Sequence, residues 1–297
     1  MKFRNTNLGI LLRRWIARWM FYPVYLLQYV LIYIKLFFVY NKKPLVIVLT
    51  IGKVGSSSVY YSIKKQITRR IFHIHYISEN GIEKSWTEHK SSSRNSVPLH
   101  LITSRILHKL LNKVDQKFYV ITVFREPIQR KISSFFQNLD QYKKQITLNG
   151  LSFDSTKVEN VLSDSYFLEK LKEEDDWIKN ELKSTFNFEV YDNNQIETNG
   201  YIIERKKSKN LLVFKMETLN DYFSTAMNDF FKMNLDISIN KHNDGDIKYY
   251  SAFYKKFKND FGLKNATLDE ICNTTYFNSF YYNIKSEIYL KWKKNKK

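Results

Sequence analysis

Two continuous runs of apolar residues constrain the fold of this chain more than any other feature of its sequence. PLVIVLT occupies residues 44–50, and FYVITVF occupies residues 118–124. A strand without alternating polar residues is typical of a parallel sheet whose two faces are both covered. Stretches with apolar residues at helical spacing, such as SSSVYYSIKKQI and LHLITSRILHKLLNKV, lie between the two runs. The pattern predicts an α/β domain with a central parallel sheet and helices on both faces.

Two more strands and one long loop complete this expectation. RIFHIHYI at residues 70–77 and LLVFKM at residues 211–216 are predicted as strands. Residues 79–97 are polar and rich in serine, so they are predicted as a loop. In a parallel sheet, ligands bind at the carboxyl ends of the strands. The turn at residues 52–58 follows such an end.

The charge balance favours anionic partners. Lysine and arginine number 48 against 29 acidic residues, which gives a formal net charge of +19. Nucleic acid, anionic lipid, a polyanionic glycan or a phosphorylated cofactor would each suit this excess. The 43% of hydrophobic residues is enough for a substantial core. Cys272 is the one cysteine, so an internal disulfide and a cysteine metal cluster are excluded, which favours the cytoplasm.

The first forty residues differ from the rest of the chain. Residues 19–40 are nearly all apolar or aromatic, which is about the length of a membrane span. Arginines precede the stretch and lysines follow it. We expect residues 1–42 to be a hydrophobic, membrane-associating helical segment and residues 43–297 to be the α/β domain. The expected location is the cytoplasmic face of a membrane, and a single-pass signal anchor is the alternative.

The turn after the first strand has the features of an anion site. Gly52 and Gly55 allow a tight turn, and the helix start that follows offers N–H groups and a positive dipole end. Lys53 adds a charge, and the serines at residues 56–58 add hydroxyl donors. An ordinary strand–helix turn with a serine cap remains the alternative. The spacing does not match a Walker A loop, because Lys53 precedes the second glycine.

A second motif follows the run at residues 118–124. Arg125 leaves the sheet at the same predicted edge as Lys53, and Ser133 lies eight residues later in a helix that Pro127 begins. A guanidinium binds phosphate oxygens in a bidentate manner, so Arg125 and Ser133 are candidates for a second anion. The alternative is that Arg125 only caps the sheet edge and Ser133 faces solvent.

These two motifs resemble those of a known family. T-x-x-K-x-G-S-S after the first strand and R-x-P-x-x-R-x-x-S-x-F after a later strand are similar to the cofactor motifs of sulfotransferases that use 3′-phosphoadenosine 5′-phosphosulfate (PAPS). LLVFKMETL resembles a later strand of that family. The similarity is greatest to its carbohydrate branch and to bacterial capsular polysaccharide synthesis proteins, which WIKNELKSTFNFEVYD at residues 177–192 also resembles.

The resemblance implies a P-loop-like three-layer fold and two cofactor sites. The residues that match the loop for the 5′-phosphosulfate are Lys53, Gly55, Ser56, Ser57 and Ser58, and those that match the 3′-phosphate site are Arg125 and Ser133. It implies transfer of a sulfuryl group to a hydroxyl of a surface polysaccharide, without a metal. The expected partners are a carbohydrate acceptor and, through the N-terminal segment, the membrane surface, and no nucleic acid.

The chemistry of such a transfer assigns roles to a few side chains. Lys53 would neutralise charge on the leaving oxygen, and the acceptor hydroxyl needs a base such as His or Glu. His100 is the first candidate for this base, from its place upstream of Arg125, which is similar to that of the histidine in some glycan sulfotransferases. His75 and then Glu79 are the alternatives.

Three competing functions remain open from the sequence. A kinase would need an Asp at a strand end to bind Mg²⁺, and the strands that follow the first offer none. A nucleic-acid-binding protein would suit the net charge, but no reading module is visible. A membrane scaffold could keep the fold without the chemistry, although Lys53, Arg125 and Ser133 are intact.

Overall fold

The computed structural model describes residues 26–34, 44–67, 70–91, 98–111, 117–148, 152–191, 196, 199–240 and 248–294. Its strands are β1 (Leu45–Leu49), β2 (Arg70–Ile74), β3 (Phe118–Phe124), β4 (Thr147–Leu148), β5 (Ser152–Phe153), β6 (Tyr201–Arg205) and β7 (Lys209–Lys215). Five of these strands form one sheet in the order β2-β1-β3-β7-β6, and β4 pairs with β5 in a small antiparallel ribbon.

The helices lie between and after the strands. They are α1 (Ser56–Gln66), α2 (Glu79–Ser91), α3 (Leu99–Leu111), α4 (Pro127–Gln137), α5 (Leu139–Ile146), α6 (Ser155–Val161), α7 (Asp164–Glu169), α8 (Glu173–Trp177), α9 (Leu219–Phe231), α10 (Ser251–Asp260), α11 (Asn265–Cys272), α12 (Thr275–Tyr281) and α13 (Lys285–Trp292). A π-helix (Ile178–Ser184) continues α8, and short 3₁₀ segments cover Met216–Thr218 and Tyr282–Ile284.

The sheet is parallel except at one edge. β1 lies between β2 and β3, and all three run in the same direction, as does β7 beside β3. Only the pair of β6 with β7 is antiparallel. Every residue of β1 and β3 is buried, so both faces of the central strands are covered, as their continuous apolar sequences predict. The prediction of a mixed α/β fold around a mostly parallel sheet is confirmed.

One predicted loop is wrong. Residues 79–91 form the helix α2, although their composition is polar. Ser78 caps this helix, since its hydroxyl oxygen accepts a hydrogen bond from the backbone N–H of Gly81 at 3.0 Å. The helix buries Ile82, and the Arg105 guanidinium of α3 lies 4.1 Å from the ring centre of Trp86. A cap and two contacts with neighbouring elements therefore stabilise a segment whose own apolar pattern is weak.

The last helices pack against the carboxyl edge of β3. Trp292, Tyr276 and Tyr281 are among the largest fully buried side chains, and Phe280 is 4.6 Å from Phe124 between ring centres. The Trp292 indole donates a hydrogen bond to the carboxylate of Glu126, at 3.1 Å. The C-terminal helices are thus joined to the segment that follows β3.

The N-terminal segment is described only in part. Residues 26–34 are helical, and the rest of the predicted hydrophobic segment at residues 1–42 lies outside the described residues. Among the helices that the structure describes, none is both long and apolar enough to cross a bilayer.

A buried ionic cluster joins α4 to α8. Arg130 and Lys131 are 3% and 2% exposed, and both donate hydrogen bonds to the Glu174 carboxylate, which is also buried. Arg130 also pairs with Glu173. Removing one member of such a cluster leaves the other charges buried without a partner, which lowers the free energy of unfolding.

We therefore expect Glu174→Gln to lower the free energy of unfolding by about 3–5 kcal/mol, because two buried cations lose their counter-charge. Urea denaturation followed by circular dichroism would measure the change. Glu189→Gln is the matched control, since its pair with Lys183 is exposed at both ends, and such pairs contribute roughly 1 kcal/mol or less. Equal effects of the two substitutions would contradict the structural role of the cluster.

Candidate functional site

The turn after β1 has a backbone that few sequences can adopt. Lys53 and Gly55 both have left-handed dihedral angles, with φ of 73° and 77°. Gly55 is the residue before α1, and a side chain there would be strained by the positive φ even though the space beside Met216 is sufficient. The first turn of α1 contains no acidic residue. The positive end of this helix dipole is therefore not neutralised by its own sequence.

The two predicted motifs meet in the structure. The Arg125 guanidinium donates a hydrogen bond from Nη1 to the carbonyl oxygen of Lys53, at 2.9 Å. The parallel pairing of β1 with β3 brings these residues to the same edge. The Tyr276 hydroxyl accepts a hydrogen bond from the backbone N–H of Arg125 and donates one to its carbonyl, at 3.0 and 2.9 Å. The backbone of Arg125 is therefore held by a side chain from α12.

The helix α4 presents a third part of the site. The Lys53 ammonium donates a hydrogen bond to the side-chain oxygen of Gln137. Ser133 lies four residues earlier on the same helix, so it shares the face of Gln137. Ser133 is half-buried on this face. The contact of Lys53 with Gln137 thus places this face of α4 beside the turn, and Gln137 is a residue that sequence reasoning missed. The role of Ser133 stays a prediction.

Several cations surround Lys53 and Arg125. Burial, followed by the charges of Lys248 and Arg125, lowers the pKa of Lys53 to about 8. Burial, followed by the charges of Lys291 and Arg125, also lowers the pKa of Lys258. Within the described part of the chain, Lys53, Arg125, Lys248 and Lys258 form no ion pair with a carboxylate. A bound anion would supply the missing counter-charge.

Three histidines form a row beside the turn. His73 contacts Ser56 through Nε2, which is 2.8 Å from the serine hydroxyl oxygen. His75 donates a hydrogen bond from Nδ1 to the carbonyl oxygen of Thr50, at 2.8 Å, so its Nε2 carries the lone pair in the neutral ring. The ring of His75 is 5.2 Å from that of His73 and 5.7 Å from that of His100, between ring centres.

All three rings are neutral at pH 7. Burial, followed by the charges of His75 and His89, lowers the pKa of His100 to about 4. Burial, then the charges of its two neighbours in the row, lowers the pKa of His73 to about 4. The pKa of His75 is also lowered, chiefly by burial. A neutral imidazole can accept a proton, so these rings can serve as bases.

The π-helix at residues 178–184 and the end of α8 hold the segment that carries His75. The Trp177 indole donates a hydrogen bond to the carbonyl oxygen of His75, at 2.9 Å. The Glu181 carboxylate accepts hydrogen bonds from the backbone N–H groups of Ile77 and Ser78, at 2.6 and 2.8 Å. This short stretch of the second half of the chain therefore holds the backbone of His75 and of the residues that follow it.

The structure places the predicted site residues as follows. Lys53 and Gly55 lie in the turn, and the three serines at residues 56–58 begin α1. Arg125 contacts the turn directly, and His100 joins it through His75. Glu79 is exposed at the start of α2. No group of three or more His, Cys, Asp or Glu side chains that could hold a metal ion is found among the described residues.

Comparison with known proteins gives one match. The model of a family described as "Putative capsular polysaccharide synthesis protein" (NKWYS) matches residues 150–282, just under half of the chain. This part includes Trp177, which binds the His75 carbonyl, and Tyr276, which holds the backbone of Arg125. No curated protein and no solved structure matches the chain. The match indicates a role in polysaccharide biosynthesis.

Proposed function

We propose that this chain is a sulfotransferase that moves a sulfuryl group from PAPS to a hydroxyl of a carbohydrate, within a P-loop-like three-layer fold. The observation that carries the proposal is the contact of Arg125 with Lys53 at the start of α1, in a group of cations without carboxylate partners. A donor with several anionic groups would neutralise this cluster. The role in polysaccharide biosynthesis that the family match indicates supports a carbohydrate acceptor.

The residues present suit such a donor. The turn from Lys53 to Gly55 and the serines that begin α1 would hold the 5′-phosphosulfate, because a helix N-terminus, hydroxyl groups and an ammonium all favour an anion. Arg125 and Ser133 would hold the 3′-phosphate. The donor supplies an activated sulfur when bound, and the Lys53 ammonium would stabilise the charge that develops on the leaving oxygen.

The transfer is a single displacement. The acceptor oxygen forms a bond to sulfur while the bond from sulfur to the phosphate oxygen breaks, and 3′-phosphoadenosine 5′-phosphate leaves. The hydroxyl proton passes to a histidine ring nitrogen. We assign this role to His100, because His73 and His75 are held by Ser56 and Thr50, while no described residue forms a hydrogen bond with the His100 ring. Positioning and charge neutralisation supply the rest of the catalysis.

The kinase alternative would use the same turn for ATP. It requires carboxylates near the phosphates to hold Mg²⁺. The Glu126 and Glu217 carboxylates beside Arg125 already accept hydrogen bonds from backbone N–H groups and from the Trp292 and Tyr281 side chains. The cation cluster therefore favours a donor that needs no metal.

We expect 3′-phosphoadenosine 5′-phosphate to bind the full-length protein with micromolar affinity in calorimetric titration, and ADP and ATP with Mg²⁺ to bind much more weakly. Arg125→Ala and Lys53→Ala should each weaken binding of the first nucleotide by about ten- to a hundredfold, because each removes a charge-assisted hydrogen bond. Lys64→Ala is the control, since this exposed lysine lies at the other end of α1. A preference for ATP with Mg²⁺ would support the kinase instead, and unchanged affinity in both site variants would refute the assignment.

We expect His100→Ala to lower kcat by about 10²–10⁴-fold, because the proton acceptor is lost. Transfer of labelled sulfate to the surface polysaccharide of the source organism would measure it. Since the pKa of His100 is about 4, the ring is neutral above that pH, and the wild-type rate should fall only as the pH approaches this value. Nucleotide affinity should not change. If His75→Ala lowered kcat and His100→Ala left kcat unchanged, the base would be His75.

A further inference from the structure

A cavity of about 310 Å³ lies beside the segment that carries His75. Ile51, two residues before Lys53, lines one side of it, and Tyr76, the neighbour of His75, lines another. Trp177 forms part of the wall and is the residue whose indole holds the His75 carbonyl. The cavity therefore adjoins the carboxyl ends of β1 and β2, next to the site described above. Its volume is within the range of pockets that bind small organic ligands.

The charges around the cavity differ from those around Arg125. Lys84 and Lys172 face it together with Glu169 and Asp176, so cations and carboxylates are mixed. Asn180 adds an amide, which can both donate and accept hydrogen bonds. A ligand with many hydroxyl groups suits such a lining, because each hydroxyl also donates and accepts. A nucleotide anion suits the cations near Arg125 better, because they form no ion pair with a carboxylate of the described residues.

The wall of the cavity has a fixed shape. A Cβ atom at Gly81 would lie 2.2 Å from Oε1 of Glu181, so only glycine lets α2 approach the π-helix this closely. Eight of the thirteen lining residues, from Glu169 to Glu181, belong to the part of the chain that the polysaccharide synthesis family matches. The part of the chain linked to polysaccharides thus builds most of this wall.

We propose that this cavity binds the saccharide that accepts the transferred group. This assignment rests on the proposed function and on the position of the cavity: its lining includes Tyr76, the residue after His75, and Trp177, whose indole binds the His75 carbonyl. The aromatic rings of Tyr76 and Trp177 supply apolar surface for a sugar ring, and the mixed polar groups orient its hydroxyls.

The test uses the full-length protein and an array of oligosaccharides from bacterial surface polysaccharides. Asn180→Trp places a bulky ring in the cavity and removes the amide. We expect it to weaken glycan binding at least about tenfold, because the ring occupies the space of the ligand and one or two hydrogen bonds are lost. Lys183→Trp is the control on the same π-helix, because Lys183 does not line the cavity and its ammonium pairs with Glu189. Thermal unfolding would show that both variants fold.

The outcomes separate this proposal from the proposed function. Loss of glycan binding in Asn180→Trp alone, with unchanged affinity for 3′-phosphoadenosine 5′-phosphate, supports the cavity as the acceptor site. Equal glycan binding by the two tryptophan variants, or no glycan bound by the wild type, overturns it. If the wild type bound glycans through the cavity but no nucleotide, the acceptor site would stand and the sulfotransferase would not.

A second, independent observation concerns the helix at residues 26–34. Its exposed positions are all apolar: Leu26, Leu27, Val30, Leu31 and Ile34, each between 41% and 60% exposed. A helix on the surface of a soluble domain normally turns its polar residues to water. This helix does the reverse, since its single polar residue, Gln28, is on the half-buried side.

The other side of this helix is attached to the domain. Tyr29, Ile32 and Tyr33 pack against the hydrophobic core, and the Tyr29 hydroxyl accepts a hydrogen bond from the Lys109 ammonium of α3, at 3.1 Å. A helix that crosses a bilayer alone would contact lipid on every side. Because one side of this helix contacts protein, only its outer face is available to another apolar phase.

We infer that the outer face of residues 26–34 lies flat on an anionic lipid surface. Charge complementarity favours lipid over a second copy of the chain, which would carry the same net charge of +19. Basic residues also flank the helix in the sequence: Arg13, Arg14, Arg18, Lys35, Lys42 and Lys43. Helices that lie in a membrane interface typically insert leucines among the acyl chains and place lysines and arginines near the headgroups.

Sedimentation of the full-length protein with vesicles of phosphatidylethanolamine and phosphatidylglycerol tests this inference. The double variant L27S/L31S should reduce vesicle binding at least about tenfold, because two leucine side chains lose their apolar contact. Leu290→Ser is the control, since Leu290 is 75% exposed on α13, far along the chain. Equal binding by the double variant would overturn the inference. The inference would also be overturned if the wild type did not bind vesicles but formed dimers, and the double variant did not. The outer face would then bind a second copy of the chain.

Discussion

The parallel pairing of β1 with β3 is the constraint on which the rest of the site depends. Two parallel neighbours end at the same edge, so the chain must leave both strands side by side. The turn at Lys53 and the residue Arg125 therefore meet although more than seventy positions separate them in the sequence. The helices that follow begin at this edge as well, and their N-termini lie where an anion is most favourable.

Electrostatics divides the surroundings of this edge into distinct environments. Near Arg125, several cations lie close together without an ion pair to a described carboxylate, and burial, followed by the charges of Lys248 and Arg125, lowers the pKa of Lys53. Beside them, the three histidines are buried enough to stay neutral. The cations around Lys53 and the neutral histidine rings thus occupy adjacent but separate places near the carboxyl edge of the sheet.

The sequence predicted the parts of the site that follow from strand order and from local motifs. Lys53, Gly55 and Arg125 could be found because they lie directly after apolar runs. His100 could be placed only by resemblance, since its approach to His75 depends on how α3 packs on β2. Lys248 and Gln137 could not be found, because one comes from a distant part of the chain and the other is an exposed amide on a helix end.

The same reasoning explains why two secondary-structure elements were not predicted correctly from the sequence. α2 was predicted as a loop because its stability comes from the Ser78 cap and from contacts such as that of Arg105 with Trp86, which composition does not reveal. The antiparallel strand β6 was missed because Tyr201–Arg205 is a short edge strand. Neither error affects the carboxyl edge of the sheet, where the continuous apolar strands dominate.

The hydrogen bonds from the last helices to the end of β3 make the C-terminus part of the site. Tyr276 holds the backbone of Arg125, and Trp292 holds the carboxylate of Glu126, the next residue along. The matched family region ends at residue 282, between these two anchors. A fragment cut at that boundary would keep the first anchor and lose the second, leaving the buried Glu126 carboxylate without its indole donor. The unit that folds around the site is therefore longer than the unit that sequence comparison recognises, and it includes α13.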